Sequence, residues 1–229
     1  MTTHIILTGA SRGIGAAIAA ALDRGDVRLV GLSSSDGDLN DPAVPARLWD
    51  NALARLEGRV DVLINNAGEF AANPIDADDA DWLAGWERGL RINLTAAADL
   101  SRRFVLHALA NGGGRIVNIA SRAAHRGDSP AHWHYAAAKA GMVAMTKTIA
   151  RGYPKDGVLA FAICPGFTMT GMAEDYLSSR GGDKLLADIP LGRVATPDEV
   201  AGMARWCALD APPSMTGAVL DVNGASYVR

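Results

Sequence analysis

"ILTGASRGIGAAIAAAL", Ile6 to Leu22, runs from a short apolar segment through three closely spaced glycines into a small-residue pattern of helix length. Gly9, Gly13 and Gly15 permit a tight turn and close backbone approach. The helix start behind them presents free N–H groups and the positive end of a dipole, which together suit a phosphate. The spacing is G-x-x-x-G-x-G rather than the G-x-G-x-x-G of many dinucleotide-binding turns. Taken alone, the motif allows a pyrophosphate cradle or a strand-to-helix turn without a ligand.

Outward from this turn, short apolar runs alternate with amphipathic segments. "HIILTG", "VRLVGL", "VDVLINNAG", "GRIVNIAS", "GVLAFAICPG" and "GAVLDVNG" read as strands, and their continuous apolar character predicts a sheet covered on both faces. Between them lie five segments that read as one or more helices each. The alternation predicts an α/β fold, a doubly wound parallel sheet with right-handed crossovers. Thr196-Pro197-Asp198-Glu199 carries the hydroxyl, proline and glutamate of a well-specified helix start. Ser129-Pro130 suggests another, which would place Tyr135 and Lys139 in the second and third turns, four apart on one face.

The 229 residues show no repeat, linker or shift in composition, so a single domain spanning 1–229 is expected. With 49% apolar residues, 21% charged residues and a formal net charge of -3, the composition is that of a soluble globular protein and nothing favours a nucleic-acid partner. No run approaches the roughly 18 apolar residues of a membrane helix, and "MTTHIILTGASRG" lacks a basic region followed by a long apolar one. A cytoplasmic protein is expected. Cys164 and Cys207 are too few and isolated for a disulfide framework, fit a reducing compartment, and read as buried apolar fillers; no metal-ligand spacing is visible.

Four further motifs join the glycine turn: "NNAG" at Asn65 to Gly68, Asn93 in "RINL", Ser121 in "IVNIAS", and "YAAAK" at Tyr135 to Lys139. With "CPGFTMTGM" and "LDVNGASYVR" following in order, the chain resembles the short-chain dehydrogenase/reductase family almost end to end. The resemblance implies a Rossmann-type fold and a nicotinamide cofactor. It implies that Tyr135 donates a proton to a carbonyl oxygen as hydride arrives, or removes one from the alcohol in reverse. Ser121 would orient that oxygen, Lys139 would lower the phenol's pKa and bind the ribose, and Asn93 would hold a water in the relay. Implied cofactor contacts are Gly9, Ser11, Arg12, Gly13, Ile14 and Gly15, then Ser33, Ser34, Asp38 and Leu39, then Asn65, Ala67 and Gly68, together with Tyr135 and Lys139. Pro165, Gly166, Thr168 and Thr170 would border the nicotinamide. A homotetramer or homodimer is implied, pairing the long helices and the C-terminal edge.

Two places depart from the family pattern. After the second strand, "VRLVGLSSSDGDLNDPA" passes almost directly into the adenine contact at Asp38-Leu39, so the second crossover is truncated and one strand fewer is expected. The acidic residue that would select NAD(H) at the end of this strand is replaced by Leu32-Ser33-Ser34, so NADP(H) is favoured, with Arg12, Ser33 and Ser34 as candidate phosphate ligands. Asp36 keeps NAD(H) open. Between Ser121 and Tyr135, Arg122, His125, Arg126, His132, Trp133 and His134 crowd the expected substrate entrance. They suggest either recognition of an anionic or aromatic substrate, with Arg122 and Arg126 able to meet an acidic carrier protein, or a solvated loop with Trp133 at a subunit contact. Residues 170–193 follow the nicotinamide motif and read as a substrate lid, with Met169, Met172, Tyr176 and Leu177 as lining and Gly181-Gly182 as hinge.

The expected activity is therefore interconversion of a ketone and a secondary alcohol with NADP(H), closest in motifs to the 3-oxoacyl thioester ketoreductases. An NAD-dependent alcohol or hydroxysteroid-type dehydrogenase and a non-catalytic nucleotide-binding regulator are the competing readings.

Overall fold

The computed structural model of the chain describes residues 2–169 and 182–229, with the backbone alone at 183–185. Six parallel strands form one sheet: β1 (Thr3–Thr8), β2 (Val27–Leu32), β3 (Val62–Asn65), β4 (Gly114–Ile119), β5 (Val158–Pro165) and β6 (Val219–Val222), in the order β2-β1-β3-β4-β5-β6. These are the six runs read as strands. Every residue of β3 and β5 is buried, as a parallel sheet covered on both faces requires.

Alternation along the strands divides the core in two. Ile6, Leu63, Ile116 and Ala160 pack under α2 (Val44–Arg55), α4 (Ala96–Asn111) and α6 (Trp133–Gly152), with Leu48, Trp49, Leu100, Phe104 and Ile149. Ile5, Leu7, Ile64, Val117 and Phe161 face α1 (Gly13–Ala21) and α8 (Pro197–Leu209), with Ile18, Leu22, Val200 and Ala204. Full burial of each large apolar side chain contributes about 1.5–3 kcal/mol, so both faces are needed to offset the chain's ordering entropy. Cys164 and Cys207 lie in this core, both fully buried.

From β1 the chain moves outward to β2, then returns through α2 to β3 on the other side of β1. That reversal opens a crevice at the C-terminal ends of β1 and β3, where ligands of such sheets bind. The loop 33–43 leads straight from β2 into α2, so β2 is an edge strand and the crossover is short, as its sequence suggested.

α3 (Asp79–Leu90) runs into α4 through a π-helical turn at Arg91–Thr95, with Asn93 at its centre. The start of α8 has the predicted capping box: the Thr196 hydroxyl accepts from the Glu199 N–H, and the Glu199 carboxylate accepts from the Thr196 N–H. Arg193 pairs with both oxygens of Glu199 at 2.8 Å, holding its carboxyl down at about 2. The start expected at Ser129-Pro130 is displaced. The Ser129 hydroxyl bonds His132 Nδ1 at 2.6 Å instead of capping a backbone N–H, and α6 begins at Trp133. Tyr135 thus sits in the first turn and Lys139 in the second, still on one face.

α5 (Ala123–Arg126) is a single short helical turn after Ser121, and 127–132 beyond it run as a half-buried to exposed loop. Of the expected lid, Thr170, Met172, Tyr176, Leu177 and Gly181 lie outside the described residues. Its far end is anchored: α7 (Gly182–Ala187) precedes Ile189 and Val194, which cluster with Phe167 and Met169, and the Leu191 N–H donates to Gly224 O. No helix of the described residues is long and apolar enough to cross a membrane.

Candidate active site

The crevice is a cavity of about 770 Å³ at the strand ends. Its floor is set by contacts between the first and third strands. Buried Thr8, at the end of β1, uses its hydroxyl to accept the N–H groups of Asn66 and Ala67, while Asn66 Nδ2 donates to the carbonyls of Thr8 and Gly9. The approach needs glycine. A Cβ at Gly15 would lie 1.9 Å from Gly9 O, and Gly9 has φ +68° with its own Cβ position 2.8 Å from Ala67 Cα. At the N-terminus of α1, Arg12 occupies the cap position without a side-chain bond to the first turn. Free N–H donors therefore face a cradle that any side chain would fill, and the residues present fit the pyrophosphate of a dinucleotide.

The predicted contacts converge on this cavity. Ser11, Arg12, Gly13, Ile14, Ser33, Ser34, Asp38, Leu39, Ala67, Gly68, Pro165, Gly166 and Thr168 all line it, as do Asn93, Ser121, Tyr135 and Lys139. Among the described residues Asn65 is the exception, and its neighbour Asn66 takes the wall position. Asn65 is buried behind the floor, where its Nδ2 donates to Ser101 Oγ at 3.0 Å and Asn118 Oδ1 at 2.8 Å. Asn118 donates in turn to Thr146 Oγ1 at 2.8 Å, so three asparagine and hydroxyl contacts tie β3, β4, α4 and α6 together. The alternating direction of strand side chains distinguishes the two asparagines. Thr8 and Asn66, within "ILTGAS" and "NNAG", are further cavity residues beyond those the motifs imply.

At the other end, Ser121 stands beside the Tyr135 phenol and partly counters the effect of its burial, while the Ser121 Oγ accepts the Ala123 N–H at 3.1 Å. Burial pushes the phenol up to about 12, so it stays protonated over the physiological range. Lys139 is buried and its ammonium is pushed down to about 8 by desolvation. Its Nζ donates to Ile119 O at 2.9 Å and stands 5.7 Å from the centre of the Tyr135 ring. Asn93 is fully buried with its carboxamide committed: Oδ1 accepts the Glu69 N–H, and Nδ2 donates to the carbonyls of Glu69 and Gly89. Its side chain thereby braces the Glu69 segment of the wall against α3. A Cβ on Gly68 would fall 2.8 Å from Asn93 Oδ1 and 3.6 Å from Lys139 Nζ, which shows how closely these three residues meet.

Phe70 forms an aromatic wall, its ring edge-on to Tyr135 at 4.9 Å and stacked on His132 at 3.8 Å. The basic residues expected at the entrance are not a free patch. Arg126 is paired with Asp188 at 2.6 Å, and Arg122 lies 3.6 Å from the same carboxylate and 5.7 Å from the Phe167 ring centre. His134 is buried against Gly89, where a Cβ would lie 1.9 Å from its ring, and Trp133 is exposed.

Residues 9–225 match the family model described as Enoyl-(Acyl carrier protein) reductase. The chain is 31% identical over 241 residues to the 3-oxoacyl-[acyl-carrier-protein] reductase of Salmonella typhimurium, covering 97% of this chain and 96% of that protein. It is 30% identical over 243 residues to the acetoacetyl-CoA reductase of Rhizobium meliloti, covering 99% of each. A solved structure from Beutenbergia cavernae, of a candidate NAD(P)-dependent gluconate 5-dehydrogenase with NADP bound at low occupancy, superposes with a TM-score of 0.88 at 33% identity, over 98% of this chain and 96% of that one. A cradle for a dinucleotide, a phenol sharing its cavity with a serine and a buried lysine, and matches along nearly the full length agree: the chain belongs to the short-chain dehydrogenase/reductase family, close to the 3-oxoacyl reductases, and is an oxidoreductase acting on CH–OH groups.

Proposed function

We propose that the protein is an NADP(H)-preferring enzyme that interconverts a ketone and a secondary alcohol, with 3-oxoacyl thioesters as its first substrate class. The observation that carries this reading is that Ser121, Tyr135 and Lys139 line the same cavity as the glycine cradle. A nicotinamide cofactor held in this cavity would supply or accept the hydride. The Ser121 hydroxyl orients the substrate oxygen, and the Tyr135 phenol delivers its proton to that oxygen as negative charge develops there. Lys139, when protonated, stabilises the phenolate left behind and offers its remaining N–H donors to the nicotinamide ribose. Asn93 keeps the Glu69 backbone in place beside them. The relatives that act on acetoacetyl-CoA and 3-oxoacyl carrier proteins support the thioester substrate.

The cofactor preference rests on the end of β2, where Ser33 and Ser34 line the cavity with Arg12 and no carboxylate from residues 33–37 does. The neighbour solved with NADP supports it. One observation favours NAD(H) instead: Asp36 Oδ2 accepts both the N–H and the hydroxyl of Ser33, at 2.8 and 3.1 Å, which places a carboxylate beside the proposed 2′-phosphate site. Asp36 would then select a cofactor without that phosphate. A cytoplasmic, single-domain homodimer or homotetramer, with 170–193 as substrate lid, completes the proposal.

The test is oxidation of NADPH and of NADH, in parallel, with 3-oxoacyl thioesters, diketones, quinones and steroid ketones. Turnover with NADPH, lost in Tyr135→Phe, supports the reading; faster turnover with NADH that Asp36→Ser redirects to NADPH makes Asp36 the selector. Cofactor binding without turnover on any of these carbonyls would favour a nucleotide-binding regulator.

A further inference from the structure

Apart from the residues already given roles, the fold gathers three side chains that ligate metals. His125 comes from α5, Cys164 from the end of β5 and Asp221 from β6, and their ligand atoms all lie within 4.8 Å of one another. Among the described residues no other three histidine, cysteine or carboxylate groups meet in this way. His125 Nε2 and Cys164 Sγ are 3.6 Å apart. A tetrahedral zinc ion with Zn–N near 2.0–2.1 Å and Zn–S near 2.3 Å separates its nitrogen and sulfur ligands by about 3.6 Å. Two of the three atoms are therefore already at ligand spacing, and the carboxylate, within 4.8 Å of both, needs to close by up to about 1.4 Å.

The surroundings hold these atoms in place. The Tyr227 ring lies parallel to His125, 5.6 Å between centres and 3° between planes. Arg229 engages Asp221 through Oδ2 alone, at 3.0 Å from Nε and 2.9 Å from Nη2, while Oδ1 accepts no hydrogen bond among the described residues. Outer contacts of this kind orient ligands around a metal. Cys164 lies on β5 between Ile163 and Pro165, whose carbonyls accept the N–H groups of Ala120 and Arg122 on either side of Ser121, so the cluster abuts the active-site wall.

We propose that His125, Cys164 and Asp221 form a three-ligand site for a borderline transition-metal cation of the zinc class, with solvent as the fourth ligand. Imidazole, thiolate and carboxylate suit such a cation better than magnesium or calcium, which take oxygen donors. Binding breaks the Sγ–H bond, releases that proton to solvent and forms the Sγ–metal bond, with no electron transferred. Arg229 is the cation already beside Asp221.

Cobalt(II), added to the intact chain, is the probe. The expected result is a sulfur-to-cobalt charge-transfer band with intense tetrahedral d–d absorption, both displaced by zinc(II). Cys164→Ser abolishes the charge-transfer band, and Cys207→Ser retains it. His125→Gln and Asp221→Asn each weaken zinc binding, measured by competition with a chromogenic chelator, by more than the roughly 10–100-fold cost of losing an outer contact. Far-ultraviolet circular dichroism checks that each variant is folded, and the partly exposed His125 gives a readout should Cys164→Ser fail to fold. The absence of a charge-transfer band in the wild-type chain, or a band that survives Cys164→Ser, overturns the proposal. No step measures turnover, so the site stands or falls separately from carbonyl reduction.

Discussion

At the scale of single residues, the site pairs two groups that burial moves in opposite directions. The Tyr135 phenol is pushed up to about 12 and the Lys139 ammonium down to about 8, because a low-dielectric wall disfavours the charged form of each. Tyr135→Phe removes the proton donor while keeping the ring against Phe70. It lowers kcat by about 10²–10⁴-fold with cofactor affinity unchanged, checked by steady-state kinetics and fluorescence titration. Reduction needs both groups protonated, so kcat/KM in that direction falls as pH rises through about 8, measured as a pH–rate profile. Stability follows the same two groups. Between about 8 and the ordinary lysine value of 10.5 the unfolded chain holds a proton that folded Lys139 has released, so stability rises with pH there. Above the ordinary tyrosine value of 10.0 the folded state keeps the Tyr135 proton that the unfolded chain loses, and stability falls towards about 12. Urea titrations of the ligand-free protein and of Lys139→Met across pH 8 to 10.5 isolate the rising limb, which the variant lacks.

At the scale of elements, the site depends on two close approaches and a polar tie. A methyl group on Gly15 would stand 1.9 Å from Gly9 O, a backbone atom that cannot swing aside. Gly15→Ala gains the intrinsic helix propensity of alanine, about 1 kcal/mol, and still forces α1 away from the cradle. Calorimetry is expected to show dinucleotide binding lost while the circular dichroism of the fold persists. Asn118 links Asn65 to Thr146 behind the crevice, so Asn118→Ala strands buried polar partners on both sides and costs about 1–3 kcal/mol in chemical denaturation. The π turn belongs to the same scale. By interrupting the path from α3 into α4 it directs the Asn93 side chain so that its carboxamide meets the Glu69 N–H and the carbonyls of Glu69 and Gly89.

At the scale of the molecule, the outer faces of the helices retain apolar side chains. Leu83 on α3, Leu106 and Leu109 on α4, and Trp133 at the start of α6 are 51%, 56%, 43% and 54% exposed, in keeping with the proposed pairing of the long helices. Light scattering is expected to give a dimer or tetramer, which Leu106→Glu shifts towards monomer; a wild-type monomer at micromolar concentration would defeat this expectation. The same sheet that carries the cavity carries the His125–Cys164–Asp221 cluster at β5 and β6, so one scaffold holds both sites.

The sequence by itself determined the six strands, the alternating layers, the shortened crossover after β2 and the capping box of α8. Each depends on a local pattern, such as apolar runs, glycine spacing or hydroxyl-x-x-glutamate, whose physics acts over a few residues. It also picked out Asn93, Ser121, Tyr135 and Lys139, which the fold brings to one cavity. The tertiary structure alone decided which asparagine of "NNAG" meets the cavity, that the Asn93 carboxamide is spent on Glu69, that His132 diverts Ser129 from capping α6, and that Asp188 takes up Arg122 and Arg126. It alone brought His125, Cys164 and Asp221 together. These outcomes depend on where distant segments meet and which partner a polar group finds first, and hydrogen-bond competition across the fold leaves no periodic trace along the chain.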